Sequence, residues 1–571
     1  MPYTVAFTVR GGHPGLAARL REVAESAAGI DRPPANRLRL RRRAEADLPR
    51  LQRLLRAEGY YAARVTVALE PPEERGGPWR VHFRVEAGPR YRLGPVRIRM
   101  EGETGGFTAP DPAVLGLLPG APARAETVLA AERRLLERAR RRGHAFARLG
   151  PRRVVVDHRT RTMEVTLRLA PGPRARLARP RVTGLDGAVD EDWVRRRLGL
   201  DEGDPYAPER IARARRRLVE TGLFALVRIH TGDAPDRAGR VPVLVELVPR
   251  RFRTLGGAVG WHSDESPRLR AFWEHRNLLG AGERLRLETR LARPRRELTA
   301  AFTKPDVGRL GRDLVAEGAW TVEDADTYTS RGLTLSLGLR QPLSRRWTAT
   351  LGLRARIARV RERGRRDATA PLALPLLVTG DVTDDPLDPA RGYRLDLALT
   401  PTLDAADPDL RFLRLRLRHT RYLRLARNPR TVLALRLAAG TLLGAERDRI
   451  PADERFYAGG GGSVRGIPFQ RAGPLVRGHE PLGGRALLEG SAELRLRVAA
   501  RLELAGFVDA GTVFTASLPD PSERRPRVGA GVGVRYLSPV GPIRLDLAVP
   551  VDRDPAVDDP FQLYLGLGQP F

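Results

Sequence analysis

The chain has 571 residues, 42% apolar, 30% charged and 6% aromatic, which is too long for one ordinary domain. It contains no run of about 18 apolar residues, so a membrane-spanning helix is excluded and any crossing would fall to a closed barrel. The formal net charge is +33, but the basic residues, arginine throughout except for Lys304, alternate with leucine and valine over the whole length instead of gathering on one stripe; this argues against nucleic acid as a partner.

The N-terminus, MPYTVAFTV, reads as a strand, with neither a basic nor a long apolar leader segment. An exported protein beginning here would have lost its signal peptide or carry a misassigned start. There is no cysteine, which suits an oxidising compartment without demanding one.

The first 250 residues repeat. LPRLQRLLRAEGYYAARVTV (48–67), LAAERRLLERARRRGHAFARL (129–149) and IARARRRLVETGLFALVRI (211–229) each run as an amphipathic helix into a glycine, one or two aromatics and a short strand. Gly59, Gly143 and Gly222 align, at the position where a left-handed residue ends a helix. Tyr60, Tyr61, Phe146 and Phe224 are expected to plug each helix against a sheet. Opening strands precede (Tyr3–Val9, Val96–Met100, Arg181–Thr183), closing strands follow (Trp79–Val85, Met163–Leu169, Val241–Val248), and a shorter helix lies between opening strand and main helix, as at Leu16–Ala27 and Asp190–Leu198. The order is β-α-α-β-β, three times. Such modules fold around modest separate cores, with boundaries at Gly88-Pro89, at Gly172-Pro173 and near Pro249, giving 1–88, 89–172 and 173–249.

From about Arg250 the helical period gives way to alternation. Leu285, Leu287, Thr289 and Leu291 alternate with Arg284, Arg286, Glu288 and Arg290; Leu413, Leu415 and Leu417 alternate with Arg414, Arg416 and Arg418. Strands of this kind set one face to lipid and one to a wet lumen. A soluble sandwich alternates too, but residues 250–571, at about 20 per strand and loop, make roughly sixteen strands, a common barrel size.

Several segments carry a specific resemblance. The run from Arg455 through Gly459, Gly460, Gly461 and Gly462 to Val464, Arg465, Gly466 and Ile467 is similar to the sixth-extracellular-loop motif of the BamA/TamA superfamily. Phe507-Val508-Asp509-Ala510-Gly511, Gly529–Arg535 leading into Ser538–Ile543, and Asp384–Tyr393 resemble further family segments, and the N-terminal repeats resemble POTRA (polypeptide-transport-associated) domains. The resemblance covers essentially the whole chain. It implies α+β POTRA repeats followed by an all-β transmembrane barrel of about sixteen antiparallel strands, in the outer membrane of a Gram-negative bacterium with the POTRA domains in the periplasm. Three POTRA units resemble the TamA branch, whereas BamA-type proteins usually carry five. The implied function is the insertion or secretion of β-barrel and autotransporter proteins through a lateral seam. Implied partners are a TamB-like inner-membrane-anchored protein, unfolded outer-membrane protein clients and outer-membrane lipid. A general BamA-like insertase, a two-partner secretion pore and phospholipid transport across the periplasm stay open as alternatives. No Gly-x-Ser-x-Gly elbow, no Ser/His pair and no metal-ligand spacing of histidines is found, so the chain reads as a non-enzyme without cofactor or metal.

Within that resemblance Arg465 is the first residue to single out, since the family's loop folds back into the barrel and its arginine meets acids on the wall. The parity of the following strand offers a partner. Leu502, Leu504, Val508 and Ala510 share one face, so Glu503, Phe507 and Asp509 share the other and point at the lumen. In a partly wet channel the pair would position the loop and contribute about 1 kcal/mol. Gly459–Gly462 read as a flexible loop base, and Gly529, Gly531 and Gly533 as a smooth track for the loop. The seam is expected between Phe252–Trp261 and Leu563–Phe571, with Gly256, Gly257 and Gly260 making the first strand weakly self-pairing. Phe571 resembles the C-terminal aromatic by which barrels are recognised for their own insertion.

Overall fold

The three amphipathic segments fold as helices laid on three-stranded sheets in a computed structural model, which describes residues 2–72, 74, 77–262, 266–293, 295–476, 480–538 and 541–567. The first main helix, Arg37–Ala57, begins where the Asn36 side chain accepts the Arg39 N–H. Its Leu40, Ala44, Leu51 and Leu55 form one fully buried stripe that packs in the core with Val81, Phe83 and Val85 of the strand Trp79–Glu86. The second, Ala125–Arg141, places Val128, Ala131, Leu135 and Ala139 with Met163, Val165, Leu167 and Leu169. The third is Pro208–Glu220, with Ala214 and Leu218 buried.

In every module the closing strand sits in the middle of the sheet, with the opening strand parallel on one side and the remaining strand on the other. The repeat departs from expectation once. In the second module the short first helix is a single 3-10 turn, Pro112–Leu115, because prolines at 110 and 112 and the left-handed Gly116 leave no room for a helical run.

The helix-ending glycines also serve as joints. Gly59 and Gly143 have positive φ (93° and 98°), and their carbonyls accept the N–H of Tyr91 (2.8 Å) and Ala175 (2.9 Å), just beyond the Gly-Pro steps. Beside the first joint Glu58, 3% exposed, is paired with Arg19, with Arg90 at 3.0 Å and with Arg124 at 3.2 Å. Tyr60 and Phe224 are buried as expected. Tyr61 instead leaves its own sheet: its hydroxyl donates to Met163 Sδ (3.1 Å) and its ring lies 5.4 Å from that of Tyr91. Phe146 is half-buried, with His144 and Ala147 buried beside it.

From Arg253 onward the chain forms a closed antiparallel barrel, sixteen strands among the described residues, the first Arg253–His262 and the last Gln562–Leu567. Alternation decides which face each side chain takes: Leu502, Leu504 and Val508 are 37–49% exposed outward, while Glu503, Phe507 and Asp509 are buried inward. Exposed leucines continue around the outside on nearly every strand, as a lipid-facing belt requires. The eighth strand runs in three pieces, Arg365–Thr369, Pro371–Ala373 and Leu376–Asp381, where Pro371 and Pro375 withhold ladder donors. The barrel end at which the chain enters is called the near end below. The long segment 444–485, between the eleventh strand Arg430–Leu443 and the twelfth strand Ala486–Ala499, leaves from the far end.

Candidate functional site: the lumenal loop and the seam

The segment 444–485 folds back into the barrel and is held there by two charged anchors. On one side the loop brings two acids and an arginine to oppositely charged wall residues. Asp453 pairs with Arg356 (2.6 Å) and accepts from Ser330 Oγ (2.6 Å); Glu454 pairs with Arg414 (3.2 Å). Arg455 forks onto Glu362 with bonds of 2.7 and 2.9 Å. On the other side the loop supplies the cation. Arg465 Nε and Nη2 donate to the two oxygens of Asp509 (2.6 and 3.0 Å), and Nη1 donates to Glu493 (2.8 Å) and Asp546 (3.4 Å). The guanidinium lies over the Phe507 ring, 3.4 Å from its centroid.

This cluster is buried. Arg465 is 2% exposed, Asp509 1%, and Glu493 and Asp546 0%. Arg495, bonded to Glu493 (2.8 Å), and Arg535, paired with both Glu493 and Asp546, extend the set, and Arg544, 12% exposed, lies 3.7 Å from Asp546. Opposite charges at contact distance are what let so many ionised groups be buried. The expected value of about 1 kcal/mol therefore belongs to a solvated pair; here, removing one member leaves buried charge behind, a change that costs about 3–5 kcal/mol.

Glycines fix how close the loop lies. A Cβ on Gly529 would sit 1.8 Å from the Arg465 carbonyl oxygen, one on Gly531 2.4 Å from the Phe507 ring, and one on Gly511 2.9 Å from Val464. The expected glycine track thus receives the loop backbone and the Phe507 ring. Gly459–Gly461 differ from their reading as a flexible base: Gly459 donates to Ser463 Oγ (2.8 Å) and Gly460 to the Ile467 carbonyl (2.9 Å), and these three are buried while Gly462 is exposed. They make a closed buckle because a side chain on Gly459 would strike the Pro468 carbonyl at 2.4 Å. Val464 and Ile467 are fully buried in a cluster with Phe412, Leu442, Phe456 and Leu487. Gly466, at φ 91°, lies against Val549 and donates its N–H to Tyr564 Oη (3.0 Å), tying the motif to the last strand.

The seam lies one step further round. The first strand pairs along its full length with Ser266–His275, but with the last strand only at Trp261↔Leu565 and His262↔Tyr564 among the described residues. Two of the three seam glycines serve the complete side. A Cβ on Gly256 would collide with the Phe272 ring at 2.5 Å, and one on Gly257 would meet the Arg270 carbonyl at 3.0 Å. The first strand is therefore not weakly self-pairing there, since its glycines admit a close neighbour. Gly260 does face the seam, with the Leu565 carbonyl 3.3 Å from its would-be Cβ. Phe571 lies outside the described residues.

The Omp85 superfamily domain matches residues 277–571, just over half of the chain and most of the barrel with its loop. The chain belongs to the Omp85 superfamily. Outside this Omp85 domain the likeness continues. The outer membrane protein assembly factor BamA of Neisseria meningitidis serogroup B is 24% identical over 582 residues, covering 91% of this chain and 72% of that protein. The factor of the same name from Neorickettsia risticii is 25% identical over 537 residues, covering 89% and 70%. The crystal structure of BamA from Haemophilus ducreyi lacking POTRA domains 1–3 superposes with a TM-score of 0.73 at 18% identity, covering 84% of this chain and all of that one, and so shares its fold. The protein is an outer-membrane β-barrel of the BamA/TamA type.

Glu493, Asp546, Arg495, Arg535 and the Asp453–Glu454 pair escaped the sequence reading. Glu493 and Arg495 share the inward parity of the strand Ala486–Ala499, and that parity was the available signal.

Proposed function

We propose that this chain is an outer-membrane assembly factor that offers the edge of its seam to the strands of an incoming β-barrel or autotransporter client. The observation that carries the reading is the seam itself: among the described residues the first strand meets the last at Trp261↔Leu565 and His262↔Tyr564, with Gly260 against the Leu565 carbonyl. A strand edge freed at this seam recruits an incoming strand by β-augmentation. No nucleotide or catalytic step enters this reading; the client's own folding supplies the free energy. The buried loop supports it by bracing strands twelve to fifteen and, through Gly466 and Tyr564, the sixteenth.

The test uses the absence of native cysteine. Trp261→Cys with Leu565→Cys places a disulfide across the seam. In proteoliposomes, oxidation is expected to stop insertion of an unfolded barrel client and reductant to restore it. Equal insertion under both conditions would remove the seam from the mechanism.

The TamA-like reading adds three periplasmic POTRA modules, 1–88, 89–172 and 173–249, and a TamB-like inner-membrane-anchored partner. Three similar modules ahead of the barrel favour it. Crosslinking in the native host followed by mass spectrometry is expected to recover a long periplasm-spanning protein. Recovery of barrel-assembly lipoproteins would favour the general insertase, and a secreted exoprotein alone would favour the secretion pore.

A further inference from the structure

We infer that the outer wall of the barrel carries a binding surface for phosphate-bearing lipid headgroups, built by Arg296, Arg331, Arg359, Arg361 and Arg366 at the far end. Strand register puts these side chains together. Arg296 is opposite Val322, Val322 opposite Arg331, and Arg331 opposite Arg359, so three guanidinium groups share one row across four strands. In the next row outward, Thr329 is opposite Arg361 and Arg361 opposite Arg366.

The row two residues toward the near end is wholly apolar: Leu298, Trp320, Leu333 and Ile357, in successive register and 49–72% exposed. Two residues along a strand are about 7 Å. The arginines therefore begin one pleat beyond the lipid belt, at the depth where headgroups lie, with Trp320 at the boundary as interfacial aromatics are. The inference rests on the barrel's placement in the membrane and not on what passes its seam.

The charge there is unspent. All five side chains are exposed, and among the described residues none makes an ion pair or hydrogen bond with another side chain. Nearby acids are committed elsewhere: Glu323 accepts from Tyr328 (2.7 Å), and Asp367 pairs with Arg365 (2.9 Å). Asp324 is the acid that shares the arginine face, opposite Thr329. Five guanidinium groups against one carboxylate, over an apolar wall, match an anionic phosphate ester carried on acyl chains, because the guanidinium fork fits phosphate oxygens and the wall fits the tails.

Native mass spectrometry of the full chain in neutral detergent tests this with bisphosphorylated lipid A and the same lipid with its phosphates removed. The phosphorylated form is expected to stay bound and the stripped form to be lost. Replacing all five arginines by glutamine should weaken retention by about tenfold or more, while the same change at Arg39, Arg42, Arg64, Arg97 and Arg99 should leave it unchanged. Excess inorganic phosphate should not displace the lipid. Equal retention of both lipids, loss in both variants, or displacement by free phosphate would each overturn the proposal. Gel mobility of the unheated variants verifies that the barrel is folded.

Discussion

At Arg465 a single side chain satisfies three carboxylates on three strands, so its loss cannot be absorbed locally. Arg465→Ala would leave Asp509, Glu493 and Asp546 short of a cation in a buried site, with Arg495, Arg535 and Arg544 the remaining cations beside them. The expected loss is about 3–5 kcal/mol of barrel stability, read as a lower urea midpoint for the gel-shifted folded form. Arg465→Lys should recover part of it, since a point charge reproduces the ion pair but not the fork onto Asp509. An unchanged midpoint for both variants would mean that the cluster does not hold the loop. How legible was this? Parity placed Asp509 and Phe507 inward, and the Val-Arg-Gly motif pointed to the arginine, so that pair could be read from the sequence. Burial could not. Alternating Arg and Glu look solvated in a sequence, and only loop insertion buries them.

Between elements, the joints and turns set rigidity. Glu58 gathers Arg19, Arg90 and Arg124 between the first two modules, and those arginines are 24–40% exposed. Glu58→Ala should therefore cost less than a fully buried network would, about 1–2 kcal/mol. It should also raise protease cleavage near Gly88-Pro89, where the joint would loosen; an unaltered cleavage rate would show that the Gly59–Tyr91 backbone bond suffices.

At the near end of the barrel the turn containing Asp384 and Asp388 fastens neighbouring strands. Asp384 pairs with Arg424, and Asp388 reaches Arg430 and Arg497. Burial pushes the Asp388 carboxyl up, but these two guanidinium groups outweigh it and hold it below the ordinary value of 3.8. A carboxyl whose folded value is depressed stabilises fully above its unfolded value and loses that contribution as pH falls through the folded one. Proteolysis of this turn should thus be constant above about pH 5 and rise below pH 4. Asp388→Asn should cleave faster than the parent at neutral pH and respond less to acid. The turn resembled a family segment in sequence; its ionic fastening depends on Arg430 and Arg497, which are remote in sequence and became neighbours through strand order.

Over the whole molecule, the helical period is confined to the N-terminal region and strand alternation fills the barrel; of the two compact units, the one holding residues 249–571 also takes in Leu185–Val194 and Thr221–Ala225. That division was legible because period 3.6 and period 2 are visible without partners. The seam was less so. Glycine content marked Gly256, Gly257 and Gly260 alike, yet Phe272 and the Arg270 carbonyl claim the first two, and strand pairing alone separates them from Gly260. The same division makes a thermodynamic forecast. The modules rest on small cores capped by one main helix each, whereas the barrel has a closed backbone ladder and a plugged lumen. In detergent with rising urea, helical circular dichroism should fall first, while the gel-shifted barrel band persists to higher denaturant. Two separated transitions imply independent units; a single coincident transition by both probes would show that the modules and barrel fold as one.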